Sequence, residues 1–172
     1  MFVVIFEVLP APGRQEAYLA LAASLRGALE GIAGFRSVER FAALARPGWL
    51  LSLSFWETEA ALIAWREQGD HKAAQTRGRQ EIFADYRLRV GRIAAAPGLR
   101  SLGLLMAEAG ADLAPKGEVP SGEVFESLSR PGHRAGLYPA AMAAPLGGRV
   151  VEVLRDYGPK MRAEAPPRRS AG

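Results

Sequence analysis

Apolar positions along the first hundred residues change period several times, and the changes mark elements. Residues 2–9, FVVIFEVL, form a β-branched and aromatic run that stops at Pro10 to Gly13, the pattern of a buried strand closed by turn residues. In 14–30, Tyr18, Leu21, Ala22, Leu25 and Leu29 recur at helical spacing, with Gly31 following as a C-cap. A mixed strand pattern over 34–44 ends in the turn Arg46, Pro47, Gly48. Residues 49–57 alternate around Leu51, Leu53 and Phe55 with Ser52 and Ser54 between them, which predicts a strand with one face in the core. Thr58 is placed to cap a helix over 58–68, Gly69 interrupts it, and Asp70 is placed to cap a second helical stretch over 71–83. A fourth strand over 85–93 puts Tyr86, Leu88 and Val90 on one face. The order strand–helix–strand–strand–helix–strand is an α+β, ferredoxin-like split βαβ unit.

The remainder imitates that unit. SVERFAALARPG at 37–48 returns as SGEVFESLSRPG at 121–132, with Ser, Glu, Phe, Leu, Arg, Pro and Gly in register. Before the second phrase, 99–113 is patterned as a helix; after it, 133–140 answers the strand at 49–57, 140–148 is a remnant of the second helix, and 149–158 is a closing strand. This predicts an internal duplication with a truncated second copy. The divisions are a first unit at 1–95, a degenerate repeat at 96–158, and a Pro- and Arg-rich tail at 159–172 expected as an unpacked arm. A four-stranded sheet with helices on one face leaves its other face bare, and that face must find another sheet. The second copy supplies it within the chain, or a homodimer does.

Composition narrows the chemistry. The 172 residues contain no cysteine, which excludes disulfides, thiolate metal sites and Cys nucleophiles. The net charge of +4 is spread over single arginines, with no basic stripe interleaved with aromatics, so no nucleic-acid partner is expected. The apolar start MFVVIFEVL lacks a basic n-region and is too short to cross a bilayer, so the expectation is a cytoplasmic protein with no membrane partner. His71 and His133 are the only histidines, and neither has metal-ligand spacing; no GxSxG, GxGxxG or P-loop occurs. What remains is the helix pair that carries Ala61, Leu62 and Trp65 on one face and His71 after the Gly69 break. Trp65 is a candidate pocket wall and His71 a candidate acid or base, with Arg40, Arg79, Tyr86 and Phe55 as candidate substrate contacts.

The stretch from Glu39 to Val90 resembles the antibiotic biosynthesis monooxygenase family. The carrying features are LSLSFW, ETEAAL, the AWR triplet and HKAAQTRGR before FADYRLRV, with RDYG and RAEAP near the end. The resemblance implies a fold of the dimeric α/β-barrel type, a homodimer, and oxidation of a small phenolic, quinol or polyketide-like aromatic compound by O₂ without metal or flavin. Trp65 matches the family's pocket Trp. Ala61 stands where quinone-forming members have an amide, and His71 where an aromatic phenol is expected. In a haem-degrading branch the axial histidine falls where this chain has Gln75. The expectation is a cofactor-independent monooxygenase with His71 and Trp65 as catalytic residues. Its alternatives are a non-catalytic ligand-binding or dimerisation module and a haem-binding relative.

Overall fold

Every strand of this chain has an apolar face to hide, and the computed structural model, which describes residues 1–109 and 122–166, hides them all in one closed barrel. The first four strands are β1 (Phe2–Pro10), β2 (Phe35–Ala43), β3 (Leu50–Trp56) and β4 (Phe83–Ala94). The next four are β5 (Ser101–Ala107), β6 (Glu123–Ser127), β7 (Arg134–Pro139) and β8 (Arg149–Tyr157). Around the barrel they run β1-β3-β2-β6-β7-β5-β8-β4. The first set is ordered β4-β1-β3-β2 and the second β8-β5-β7-β6, the same ferredoxin-like order twice. Two antiparallel seams, β2 with β6 and β4 with β8, join the sets.

Alternation aims one residue in two inward. Val3, Ile5, Phe41, Leu51 and Leu53 from the first set meet Leu102, Leu104, Phe125, Leu137 and Val151 from the second. Helices α1 (Gln15–Ser24), α2 (Arg26–Glu30), α3 (Glu59–Glu67) and α4 (Gly69–Arg77) cover the outer face of the first set. The outer face of the second set carries Leu105 and Tyr138, packed against Met142 and Leu146 of the segment around a 3₁₀ turn, Ala140–Met142. Among the described residues no helix is long and apolar enough to cross a membrane.

The repeated phrase builds the β2–β6 seam. Phe41 pairs with Ser127 and Ala43 with Phe125, so the two phrases run antiparallel about a local two-fold axis. The main contacts across it therefore occur twice. The Leu44 amide donates to the Val124 carbonyl at 3.0 Å, and the Leu128 amide to the Arg40 carbonyl at 2.9 Å. Arg130 grips Glu39 with both arms, at 3.1 and 2.8 Å, and Arg46 grips Glu123 in the same bidentate way. Both turns close alike: Trp49 N donates to Arg46 O at 3.1 Å and His133 N to Arg130 O at 3.0 Å. Gly48 and Gly132 take φ of +80° and +78° in these turns, a region that favours glycine.

Several expectations are corrected. The run expected as a helix over 99–113 is β5 across Ser101–Ala107; positions 110–113 lie outside the described residues. Leu102 and Leu104 face the barrel and Leu105 the outer cluster. A strand buried on both faces reads as an unbroken apolar run, which periodicity cannot separate from a helix. The helix expected over 14–30 is two pieces that meet at Leu25. The cap of α4 is Gln68 and not Asp70: the Gln68 side chain accepts from the His71 amide at 2.7 Å. The stretch expected to stay helical to 83 passes at Gly78 into a π-helical turn, Gly78–Ile82. The described part of the tail, 159–166, is tied down. Glu164 accepts from Arg100 and from the Asp156 amide, both at 2.7 Å, and Arg162 donates to the Tyr86 hydroxyl at 2.8 Å.

One charge cluster is enclosed at the Arg46 end of the barrel. The Glu7 side chain is 5 % exposed and accepts from Arg46 at 2.5 Å and from Arg89, itself 11 % exposed. Burial disfavours the Arg89 cation, and Glu7 opposes that effect. Glu7→Leu is expected to cost about 3–5 kcal/mol, because it leaves Arg89 buried without its counter-charge. The double change Glu7→Leu with Arg89→Leu is expected to recover most of that loss. Urea unfolding of the single and double variants checks this; a double variant as unstable as the single one would refute it.

Candidate active site in the helical layer

The site is built where α3 ends. Thr58 accepts from the Ala61 amide at 3.2 Å and starts α3. Ala61 and Leu62 are buried against Trp56, Leu29 and Val90, and Trp65 packs at the border of the same cluster. At Gln68 the backbone turns extended, with φ −60° and ψ 134°, and this reversal lets α4 fold back. His71 then lies flat on Trp65, with ring centroids 4.1 Å apart and an interplanar angle of 14°.

The stack fixes the chemistry of the imidazole. His71 Nδ1 is 2.9 Å from the Trp65 carbonyl oxygen, which can only accept, so Nδ1 carries the proton. Nε2 is left with a lone pair. The Gln75 amide nitrogen stands 3.4 Å from it. Burial pushes the His71 pKa down to about 4; the bond to the Trp65 carbonyl works against this, and the nearby Arg79 cation reinforces it. The result is a partly buried, neutral, oriented imidazole on an indole face, with the Arg79 charge acting on it.

Trp65 and His71 are thus stacked together, and the Arg79 charge acts on the imidazole. The other expected members lie elsewhere. Tyr86 belongs to the neighbouring cluster with Tyr18, Val8 and Ile82, where its hydroxyl accepts from Arg162. Arg40 faces Tyr18 in that layer. Burial pushes the Tyr18 phenol up, opposed by the Arg40 charge and by hydrogen bonds with Arg40 and Ser52. The Arg40 Nε is buried without a partner among the described residues. Phe55 lies on the opposite side of the sheet, lining the barrel mouth with Leu53 and Met106. Strand alternation separates it from Trp65: Phe55 shares parity with the inward Leu53, whereas Trp56 points to the helices. Sequence reasoning missed Tyr18 as a polar member, because its helical spacing reads as one more core position. Among the described residues no group of three His, Asp or Glu side chains converges as a metal site would require.

Comparison with known proteins agrees with this part of the chain. The family described as antibiotic biosynthesis monooxygenase matches residues 1–77. A curated jasmonate monooxygenase of Pyricularia oryzae is 48% identical over 95 residues, which are 55% of this chain and 44% of that protein. The chain therefore spans less than half the length of that relative. Among solved structures, an antibiotic biosynthesis monooxygenase is 18% identical and covers 56% of this chain and 100% of its own, with a TM-score of 0.48. An anthrone oxidase-like protein is 12% identical and covers 96% of each chain, with a TM-score of 0.44. Residues 1–77, which contain α3, the Trp65–His71 stack and the start of the seam, are thus similar to the antibiotic biosynthesis monooxygenase family.

Proposed function

We propose that the chain is a cofactor-independent monooxygenase that oxidises a small phenolic, quinol or polyketide-like aromatic compound with O₂. The observation that carries this reading is the Trp65–His71 stack, an oriented neutral base against a flat aromatic wall. The substrate ring packs on the indole side of the site, and its hydroxyl or activated C–H gives a proton to His71 Nε2. Arg79 holds the oxyanion that forms. That anion raises the His71 pKa from its resting value, since an adjacent opposite charge favours imidazolium. The electron-rich carbanion then reduces O₂. For an activated CH₂, one oxygen atom becomes the product carbonyl and the other leaves as water, so the substrate supplies all four electrons. Gln75 occupies the position of the haem branch's axial ligand, and no observation favours a haem reading.

In the same reading the two strand sets descend from one duplicated unit. The second set, within residues 96–158, kept its four strands to close the barrel and, among the described residues, carries no α-helix over them. It stands where the partner's sheet would stand in a homodimer. The catalytic equipment remains in the first unit, within residues 1–95.

Trp65 is only half-buried, so Trp65→Ala is expected to cost about 1–3 kcal/mol of stability, less than a fully buried Trp. Oxygen uptake by the metal-stripped protein on a panel of anthrones, naphthols and hydroquinones is expected to fall at least tenfold in that variant. Equal uptake in wild type and variant would remove the site from this place. A non-catalytic module would instead show no uptake in either.

His71 also sets a pH dependence. Its folded pKa lies at about 4, below the ordinary 6.5, so between those values the unfolded chain takes up a proton that the native chain refuses. Stability is therefore expected to rise with pH across this window, by up to about 3 kcal/mol, and to show no contribution from His71 above it. His71→Gln is expected to flatten the slope in a series of urea midpoints. With His71 as the base, the acid limb of kcat/KM in the active enzyme falls near pH 4; a limb near 6.5 would argue for a different group.

A further inference from the structure

The local two-fold axis allows the two mouths of the barrel to be compared residue by residue. One mouth is filled. There Arg46 is held by Glu123 and by Glu7, its guanidinium lies 4.3 Å from the Trp49 ring centre, and Glu7 also neutralises Arg89. At the other mouth Arg130 and Glu39 repeat the Arg46–Glu123 pair, and His133 takes the place of Trp49. The two sets then diverge. Ile5 pairs with Leu53 and Leu104 with Leu137, so register places Met106 where the first set has Glu7. Ile5 pairs with Arg89 and Leu104 with Arg149, so Arg149 stands where the first set has Arg89.

Two features distinguish this mouth. It holds a cavity of about 370 Å³ whose walls include Leu53, Phe55, Met106, Glu39, Arg130 and His133; Arg149 stands beside this cavity, across Phe55, and does not line it. That volume is at the lower end of roughly 300–1,000 Å³ for small-molecule sites. The second feature is a cation without its carboxylate. Arg149 has no ion-pair partner among the described residues; its Nη1 is 3.9 Å from the Met1 sulfur and its guanidinium 5.8 Å from the Phe55 ring centre. Glu39 cannot serve it. That carboxylate already accepts from Ser127 at 2.6 Å, His133 Nδ1 at 2.9 Å and both arms of Arg130.

We propose that this mouth is a second ligand site, for a small carboxylic acid with an apolar body, whose carboxylate binds Arg149 in place of the missing Glu7 and whose body packs on Leu53, Phe55 and Met106. Charge complementarity fixes the polar end, because a guanidinium pairs with a carboxylate through two parallel hydrogen bonds. The apolar walls fix the other end. The site lies on the far side of the sheet from Trp65 and His71 and is independent of their role.

The test uses octanoate and octan-1-ol as probes in calorimetric titrations of the full chain. Wild type is expected to bind octanoate saturably. R149Q, a change at an exposed position, is expected to weaken octanoate roughly tenfold or more, the loss of about one charged pair, and to leave octan-1-ol unchanged. M106E, which restores the arrangement of the filled mouth, is expected to abolish octanoate binding in a folded chain. H71A is expected to bind octanoate as wild type does. Absence of saturable binding by wild type, equal binding by R149Q and wild type, or loss of binding in H71A instead would each overturn the proposal.

Discussion

The barrel closes because two copies of one phrase meet antiparallel and each answers the other's charge. Only three residue pairs form the β2–β6 ladder, which is little backbone bonding for a seam that joins two sheets. Around this short ladder the reciprocal bonds of Arg130 with Glu39 and Arg46 with Glu123 clamp the strand ends, and Phe41 and Phe125 sit fully buried on the inner side. Symmetry makes this economical in sequence. A residue pair that is complementary once is complementary twice when a two-fold axis relates the phrases. Glu, Phe, Arg, Pro and Gly accordingly stand at matching places in the two phrases.

Closure also decides where chemistry can sit. A four-stranded sheet has two faces, and here the inner one is used up by the opposite sheet. The outer face of the first set is covered by α1 to α4, and the Trp65–His71 stack lies in that layer. The outer face of the second set has only the segment around Ala140–Met142 among the described residues, too thin a cover to enclose a comparable site. The second set differs at its end of the barrel, where Met106 and Arg149 stand at the register positions of Glu7 and Arg89, beside a cavity.

The two regions use opposite electrostatic strategies. In the helical layer burial disfavours charge: desolvation holds His71 neutral, and the Arg79 charge adds to the effect. At the β2–β6 seam charge is kept and paired: partial burial works against the Glu39 carboxylate, and Arg130, Ser127 and His133 together hold it ionised. A neutral imidazole suits proton transfer, whereas a fixed array of pairs suits rigid closure and selective binding.

The sequence by itself determined the strands whose two faces differ, the order of the first unit, the duplicated phrase, the Thr58 cap and the Trp65–His71 helix pair. These are local properties, carried by period, turn chemistry and capping over a few residues. It could not separate β5 from a helix, because burial on both faces erases the alternation that marks a strand. Nor could it show that Phe55 and Trp65 lie on opposite sides of one sheet, or that Tyr18 meets Arg40, since those relations depend on which face the helices cover. Tertiary structure alone decided that Glu39 pairs with Arg130 and Met106 stands in for Glu7. Such partners lie far apart in the chain, and only strand register across a closed barrel brings them into contact.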